Sequence, residues 1–201
     1  MLLDNKDSFT FNIVELLRNE GLEVDVIDNE ADLEHIDSGG YDALVISPGP
    51  GNPMNQRDRG IGLELLKKGF PATLGICFGN QLIGYHLGCE IYRTDSIMHG
   101  EIDTMENLGT GLLSGIPGRF SAVRYHSLAI KPNRNIIVDA VSATDGTAMA
   151  FHSEDGRKFG LQFHPESYYS QYGREILRNF PLRMEVPISI PRYGDTSFSS
   201  K

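Results

Sequence analysis

Apolar positions in the first half of the chain fall into short dense runs separated by stretches with helical spacing. Residues 1–3, 24–27, 43–46 and 72–76 have the length and bulk of strands. Between the first two, Phe9, Ile13, Leu16 and Leu17 fall on one face of a helix predicted over residues 9–19, with Ser8 as N-cap and Gly21 as stop. A weak acidic helix is predicted around residues 32–36. Another covers residues 80–87, with Leu82, Ile83 and Tyr85 as its apolar positions. Strands alternating with helices predict a doubly wound α/β fold, a mostly parallel sheet with helices on both faces.

Beyond Leu87 the texture changes. Residues 90–93, 102–105, 120–125, 136–143, 149–152 and 158–163 are all short and strand-like, and Glu154-Asp155-Gly156-Arg157 reads as a hairpin turn between the last two. This half predicts a smaller antiparallel sheet appended to the parallel one. An amphipathic helix over residues 171–180, with Tyr172, Ile176, Leu177 and Phe180 inward, closes a single domain spanning residues 1–180. Pro187, Pro191 and a Ser-rich finish predict a partly disordered extension over residues 181–201.

The patterning places Cys77 at a corner between the run 72–76 and the helix that follows. Gly75 and Gly79 supply the missing side chains that so sharp a corner needs, as the glycines of G-x-S-x-G do around a serine. A thiol there stands above the sheet edge with helix N-terminal amides behind it, and those amides favour the thiolate, the nucleophilic form. A cysteine nucleophile needs a base, and the base an orienting group. Phe163-His164-Pro165-Glu166-Ser167 follows a strand-like run, so His164 can serve as base and Glu166 can fix its tautomer, the logic of a triad. The Pro- and Gly-rich stretch from Ser47 to Pro53 leaves a buried strand at its carboxyl end, the side on which open α/β sheets bind ligands. Its glycine amides are free of Cβ bulk. Gln81 lies in the first turns of the elbow helix, where its amide could meet a substrate. His35, His86 and His152 carry no motif and read as structural.

Composition narrows the class further. Net charge is -9, with 27 acidic residues against 18 Lys and Arg and no basic run, which argues against nucleic acid as a partner. Two cysteines, Cys77 and Cys89, make no disulfide framework, and a reactive thiol fits a reducing, cytoplasmic setting. The N-terminus has no apolar stretch of signal-peptide length, and no window approaches a membrane span. Two cysteines and six scattered histidines lack metal-ligand spacing.

Gly75-Ile76-Cys77-Phe78-Gly79-Asn80-Gln81 together with His164-Pro165-Glu166-Ser167 resembles the triad of class I glutamine amidotransferases. Residues 3–10, Ser47 to Pro53, Met98-His99-Gly100 and Arg124-Tyr125-His126-Ser127-Leu128 resemble the glutaminase components of anthranilate synthase and aminodeoxychorismate synthase. The resemblance runs from about Met1 to Phe180. It implies a flavodoxin-like core and a triad of Cys77, His164 and Glu166. It also implies glutamine contacts at Gly49, Pro50, Gly51, Gln81, Ser127 and Leu128, and an oxyanion hole of the Gly51 and Phe78 amides. L-glutamine is the implied substrate, no cofactor is needed, and ammonia passes to a separate chorismate-binding synthase subunit that makes anthranilate for tryptophan. Three features depart from the family's pattern: a short first strand, read as either a start site assigned too late or a locally frayed edge, Asn80 where the family most often has His, and residues 181–201 beyond its usual end. The rival readings are the folate-pathway partner or a subunit serving both, a γ-glutamyl hydrolase, and a catalytically silent scaffold.

Overall fold

Leu2–Asp4 (β1), Ala43–Ile46 (β3) and Ala72–Ile76 (β4) are built almost wholly of buried residues, so each needs cover on both faces. They lie side by side in one nine-stranded sheet. A computed structural model describes residues 1–37, 40–95 and 98–180, and the extension expected over 181–201 lies outside the described residues. Val26–Asp28 (β2) and Lys158–Leu161 (β11) join the three inner strands in parallel. Ala148–Ser153 (β10), Ile136–Ser142 (β9), Glu101–Asn107 (β6) and Arg119–Arg124 (β7) continue it antiparallel, giving the order β2-β1-β3-β4-β11-β10-β9-β6-β7. Glu90–Arg93 (β5) and Leu128–Lys131 (β8) form the separate antiparallel sheet. The antiparallel half is therefore mostly an extension of the main sheet.

Period-two alternation sorts the strand side chains into two layers. Leu2, Val45, Leu74 and Ile76 point to one face, where Ile13, Val14 and Leu17 of Thr10–Asn19 (α1) and Ile176 and Leu177 of Gly173–Arg178 (α5) cover them. Leu3, Leu44 and Ile46 point to the other, against Leu65 and Leu66 of Gly62–Lys68 (α3) and Phe78, Leu82 and Ile83 of Phe78–His86 (α4). A short helix, Gln56–Arg59 (α2), precedes α3. Among the described residues no helix is long and apolar enough to cross a membrane.

Several expected boundaries move. Ser8 does not cap α1: Asp7 closes the turn instead, its Oδ1 accepting from the Phe9 amide at 2.8 Å, and the helix starts at Thr10 without a side-chain cap. β2 starts at Val26 because its partner β1 starts at Leu2, which pairs with Val26. β1 is no frayed edge but an inner strand, with Leu2 and Leu3 fully buried and the Met1 amine donating to the Ala43 carbonyl at 3.1 Å. The last helix is shorter than residues 171–180. Tyr172 takes a left-handed φ of 60° and stays partly exposed, while Gln171 docks on Ser121 of β7. The hairpin turn at 154–157 is present, between β10 and β11.

Candidate active site

The corner at Cys77 is built as the glycines require. A Cβ on Gly75 would stand 2.3 Å from the backbone carbon and oxygen of Gly79, and one on Gly79 would stand 2.3 Å from the Ile46 carbonyl oxygen. The helix start thus presses on the end of its own strand and on β3. Cys77 carries the resulting bend, with φ 51° and ψ −100°, a region that side chains other than glycine's rarely enter. Its amide donates to the Leu161 carbonyl at 2.7 Å, which locks the corner to β11. α4 begins at Phe78, so the Phe78 amide is among those at the helix N-terminus that lack an intrahelical acceptor.

His164 leaves the same edge, three residues past the end of β11. Its Nδ1 lies 2.6 Å from Glu166 Oε1, its backbone amide donates to Val123 at 3.0 Å, and Ser170 Oγ donates to its carbonyl at 2.6 Å. Glu166 accepts, so Nδ1 carries the proton. Nε2 is buried with no hydrogen-bond partner. The rings of Tyr125 and Phe9 meet the imidazole edge-on, with centroids at 5.3 and 5.8 Å. Burial works against a charge on His164. The negative charge of a Cys77 thiolate and then Glu166 outweigh that and hold His164 well above the ordinary value of 6.5.

The loop after β3 runs out beside the corner, since Ile46 pairs with Gly75. Asn5 pins it, its amide donating to Ser47 Oγ at 2.9 Å and its Nδ2 to the Ser47 carbonyl at 3.0 Å. Gly49 packs against Asn5, and Gly51, at φ 96°, against Asp58, leaving no room for a Cβ at either. Pro50 between them completes a stiff loop. Gln81 is buried, not exposed on its helix, and its Nε2 donates to the Leu128 carbonyl at 2.8 Å. The Ser127 carbonyl accepts from the Thr94 amide at 2.9 Å. The Leu128 carbonyl is thus tied to α4 and the Ser127 carbonyl to the segment following β5.

Two arrangements had no counterpart in the sequence pattern. Gln162, fully buried, accepts at Oε1 from Asn80 Nδ2 at 3.0 Å and Gln81 Nε2 at 3.3 Å, and its Nε2 lies 3.7 Å from Cys77 Sγ. The sulfur's other polar neighbour is the Tyr125 carbonyl at 3.8 Å. The second arrangement is a buried ion network. Arg124, wholly enclosed, pairs with Asp103 and with Asp145 at 2.9 Å, and donates from Nε to His126 Nε2 at 3.1 Å. Arginine can only donate, so His126 is the Nδ1–H tautomer, and its Nδ1 donates to the Leu128 carbonyl at 3.0 Å. Burial, then the charge of Arg124, push His126 down to about 4. Burial alone would raise Asp145, but hydrogen bonds from Thr147 and Arg124 bring it down to about 2.

Residues 1–184 match the family model described as glutamine amidotransferase class-I. This chain belongs to the class I glutamine amidotransferase family. Anthranilate synthase component 2 of Saccharolobus solfataricus is 40% identical over 191 residues, covering 92% of this chain and 98% of that one. Aminodeoxychorismate/anthranilate synthase component 2 of Bacillus subtilis is 37% identical, covering 90% and 94%. A solved structure from Thermoplasma acidophilum, provisionally named as part of a GMP synthase, superimposes with a TM-score of 0.80 at 26% identity over 89% of each chain.

As a class I glutamine amidotransferase, the chain carries its cysteine corner and its His-x-Glu pair on one edge of one sheet. Position alone could have pointed to Gln162: it stands two residues before His164, just past the end of β11, which pairs with β4. The Arg124 network had a weaker signal. Asp103, Arg124 and Asp145 are scattered through separate strands and loops, and they meet through two pairings, β6 with β7, Asp103 opposite Ala122, and β6 with β9, Met105 opposite Ser142.

Proposed function

We propose that this chain is the glutamine-hydrolysing subunit of anthranilate synthase, acting in the cytoplasm in complex with a chorismate-binding subunit. The observation that carries this reading is the buried His164–Glu166 pair set beside a strained, glycine-flanked Cys77. The relatives named as anthranilate synthase component 2 support the choice of partner.

In this reading the Cys77 thiolate attacks the side-chain carboxamide carbon of glutamine. The Gly51 and Phe78 amides receive the tetrahedral oxyanion, and His164, oriented by Glu166, protonates the departing ammonia. A γ-glutamyl thioester remains on Cys77. His164 then takes a proton from water, which attacks the thioester and releases glutamate and the thiolate. Gly49, Pro50, Gly51, Gln81, Ser127 and Leu128 form the glutamine site. These steps call on no metal or organic cofactor. Ammonia passes to the synthase partner, which aminates chorismate to give anthranilate and pyruvate.

The Bacillus subtilis relative, named for both syntheses, favours one second reading: the same glutaminase serving aminodeoxychorismate synthase, alone or as well. Copurification with the partner, and identification of its aromatic product, separates these. Cys77→Ser is the test of the chemistry. Glutamine-dependent product formation should vanish while the partner's ammonia-dependent activity stays intact, and undiminished glutamine use would refute the assignment.

A further inference from the structure

Nothing in the reaction above uses Gln162, a fully buried side chain at the nucleophile. Its orientation follows from its neighbours. The Leu128 carbonyl can only accept, so Gln81 must turn its Nε2 toward it, and that same nitrogen lies 3.3 Å from one end of the Gln162 amide. That end must be the oxygen, and Asn80 Nδ2 donates to it as well at 3.0 Å. The nitrogen is thereby left toward Cys77 Sγ at 3.7 Å.

A thiol can satisfy both of the sulfur's polar neighbours, donating to the Tyr125 carbonyl and accepting from Gln162. A thiolate has no proton for the carbonyl and keeps the amide as its hydrogen-bond donor, with the charge of His164 beside it. We propose that Gln162 is a further catalytic residue of this site, its Nε2–H donating to the Cys77 sulfur and stabilising and aiming the thiolate, with Asn80 and Gln81 locking the amide in that orientation. The same contact serves both halves of the reaction, because the thiolate is the attacking group in the first and the leaving group in the second. Asn80 acts only through Gln162 and is a positioning residue. The proposal rests on the glutaminase reading of Cys77.

Gln162→Glu separates this role from a purely structural one. It keeps an oxygen for Asn80 and Gln81 to donate to, and replaces the donor at the sulfur with a second oxygen. Gln162→Met removes the donor without adding charge, and stands in if the first variant fails to unfold cooperatively. The readouts are the rate of Cys77 alkylation by iodoacetamide as pH is raised, and steady-state glutamine hydrolysis in the complex. The expected result is about tenfold slower alkylation at neutral pH, the loss of one hydrogen bond to a charged group. For Gln162→Met the rate recovers in alkali, and kcat falls with KM little changed. Wild-type rates at every pH in either folded variant would overturn the proposal. A readout free of any change at residue 162 is the NMR signal of its side-chain amide: Cys77→Ala should shift it, and an unmoved signal would also overturn the proposal. A wild-type complex that hydrolyses no glutamine, yet whose Cys77 alkylation still depends on Gln162, would defeat the glutaminase reading and leave the sulfur contact standing.

Discussion

Gln81 Nε2 donates to the main-chain carbonyl of Leu128 at 2.8 Å, tying the helix that starts just after Cys77 to the strand that follows the 124–127 segment. The bond joins α4 to β8 across 47 residues of sequence. It explains how two stretches assigned to one substrate keep a fixed spacing.

Gln81→Met cuts this tie while keeping the volume. Leu128 retains its bond from His126, so the fold survives with a loosened glutamine site. KM for glutamine should rise about tenfold, the cost of one buried hydrogen bond, with a smaller fall in kcat. Steady-state kinetics with the synthase partner present checks this, and an unchanged KM would reduce Gln81 to a structural strut.

Gly79→Ala drives a methyl into backbone rather than into a side chain that could swing away, since the nearest atom is the Ile46 carbonyl oxygen at 2.3 Å. It should cost about 3 kcal/mol in denaturant unfolding and remove activity. Gly118→Ala is the control: nothing lies within 4 Å of its added methyl, and stability should stay within about 0.5 kcal/mol of wild type.

His126 makes the protein sensitive to acid. Its folded value lies near 4, below the ordinary 6.5, so the unfolded chain takes up the proton first. The contribution is therefore intact above pH 6.5 and is lost as pH falls from there to about 4, on the order of 3 kcal/mol in all. His126→Asn keeps a donor for Leu128 and cannot titrate. Its melting temperature should fall less steeply over that range than that of wild type; parallel curves would contradict the assignment.

His164 has the opposite sign. Its folded value stands well above 6.5, so the stability it contributes is complete below 6.5 and is lost as pH rises through the folded value. Glu166→Gln removes one of the charges that raise it. The melting deficit of this variant should be largest below pH 6.5 and close as pH climbs, and kcat should drop at least about 100-fold as the base loses its orienting carboxylate. A deficit that grows with pH would contradict the charged pair.

The strands buried on both faces were legible because nothing else explains their composition: Ala43–Ile46 and Ala72–Ile76 fall where the apolar runs place them. The corner at Cys77 was legible because two glycines at fixed spacing have a steric reason. β8 was not, since Leu-Ala-Ile-Lys is too short to show a period and its partner β5 lies 35 or more residues earlier. α2 and α3 escaped because they run only 4 and 7 residues, α2 close behind a Pro- and Gly-rich loop and α3 opened by the Gly60 turn. Gln162 escaped for a different reason. A buried amide just past a strand end carries no pattern of its own, and its meaning comes from Asn80 and Gln81, more than eighty residues away, meeting it across a helix–sheet contact.

The backward bend at Cys77, φ 51° and ψ −100°, is tolerated by glycine at no steric cost. Exchange of that one residue for glycine would relax the corner and leave sheet, helices and loops in place. Architecture and reactivity are thus separable at a single codon, and the scaffold can outlive its sulfur.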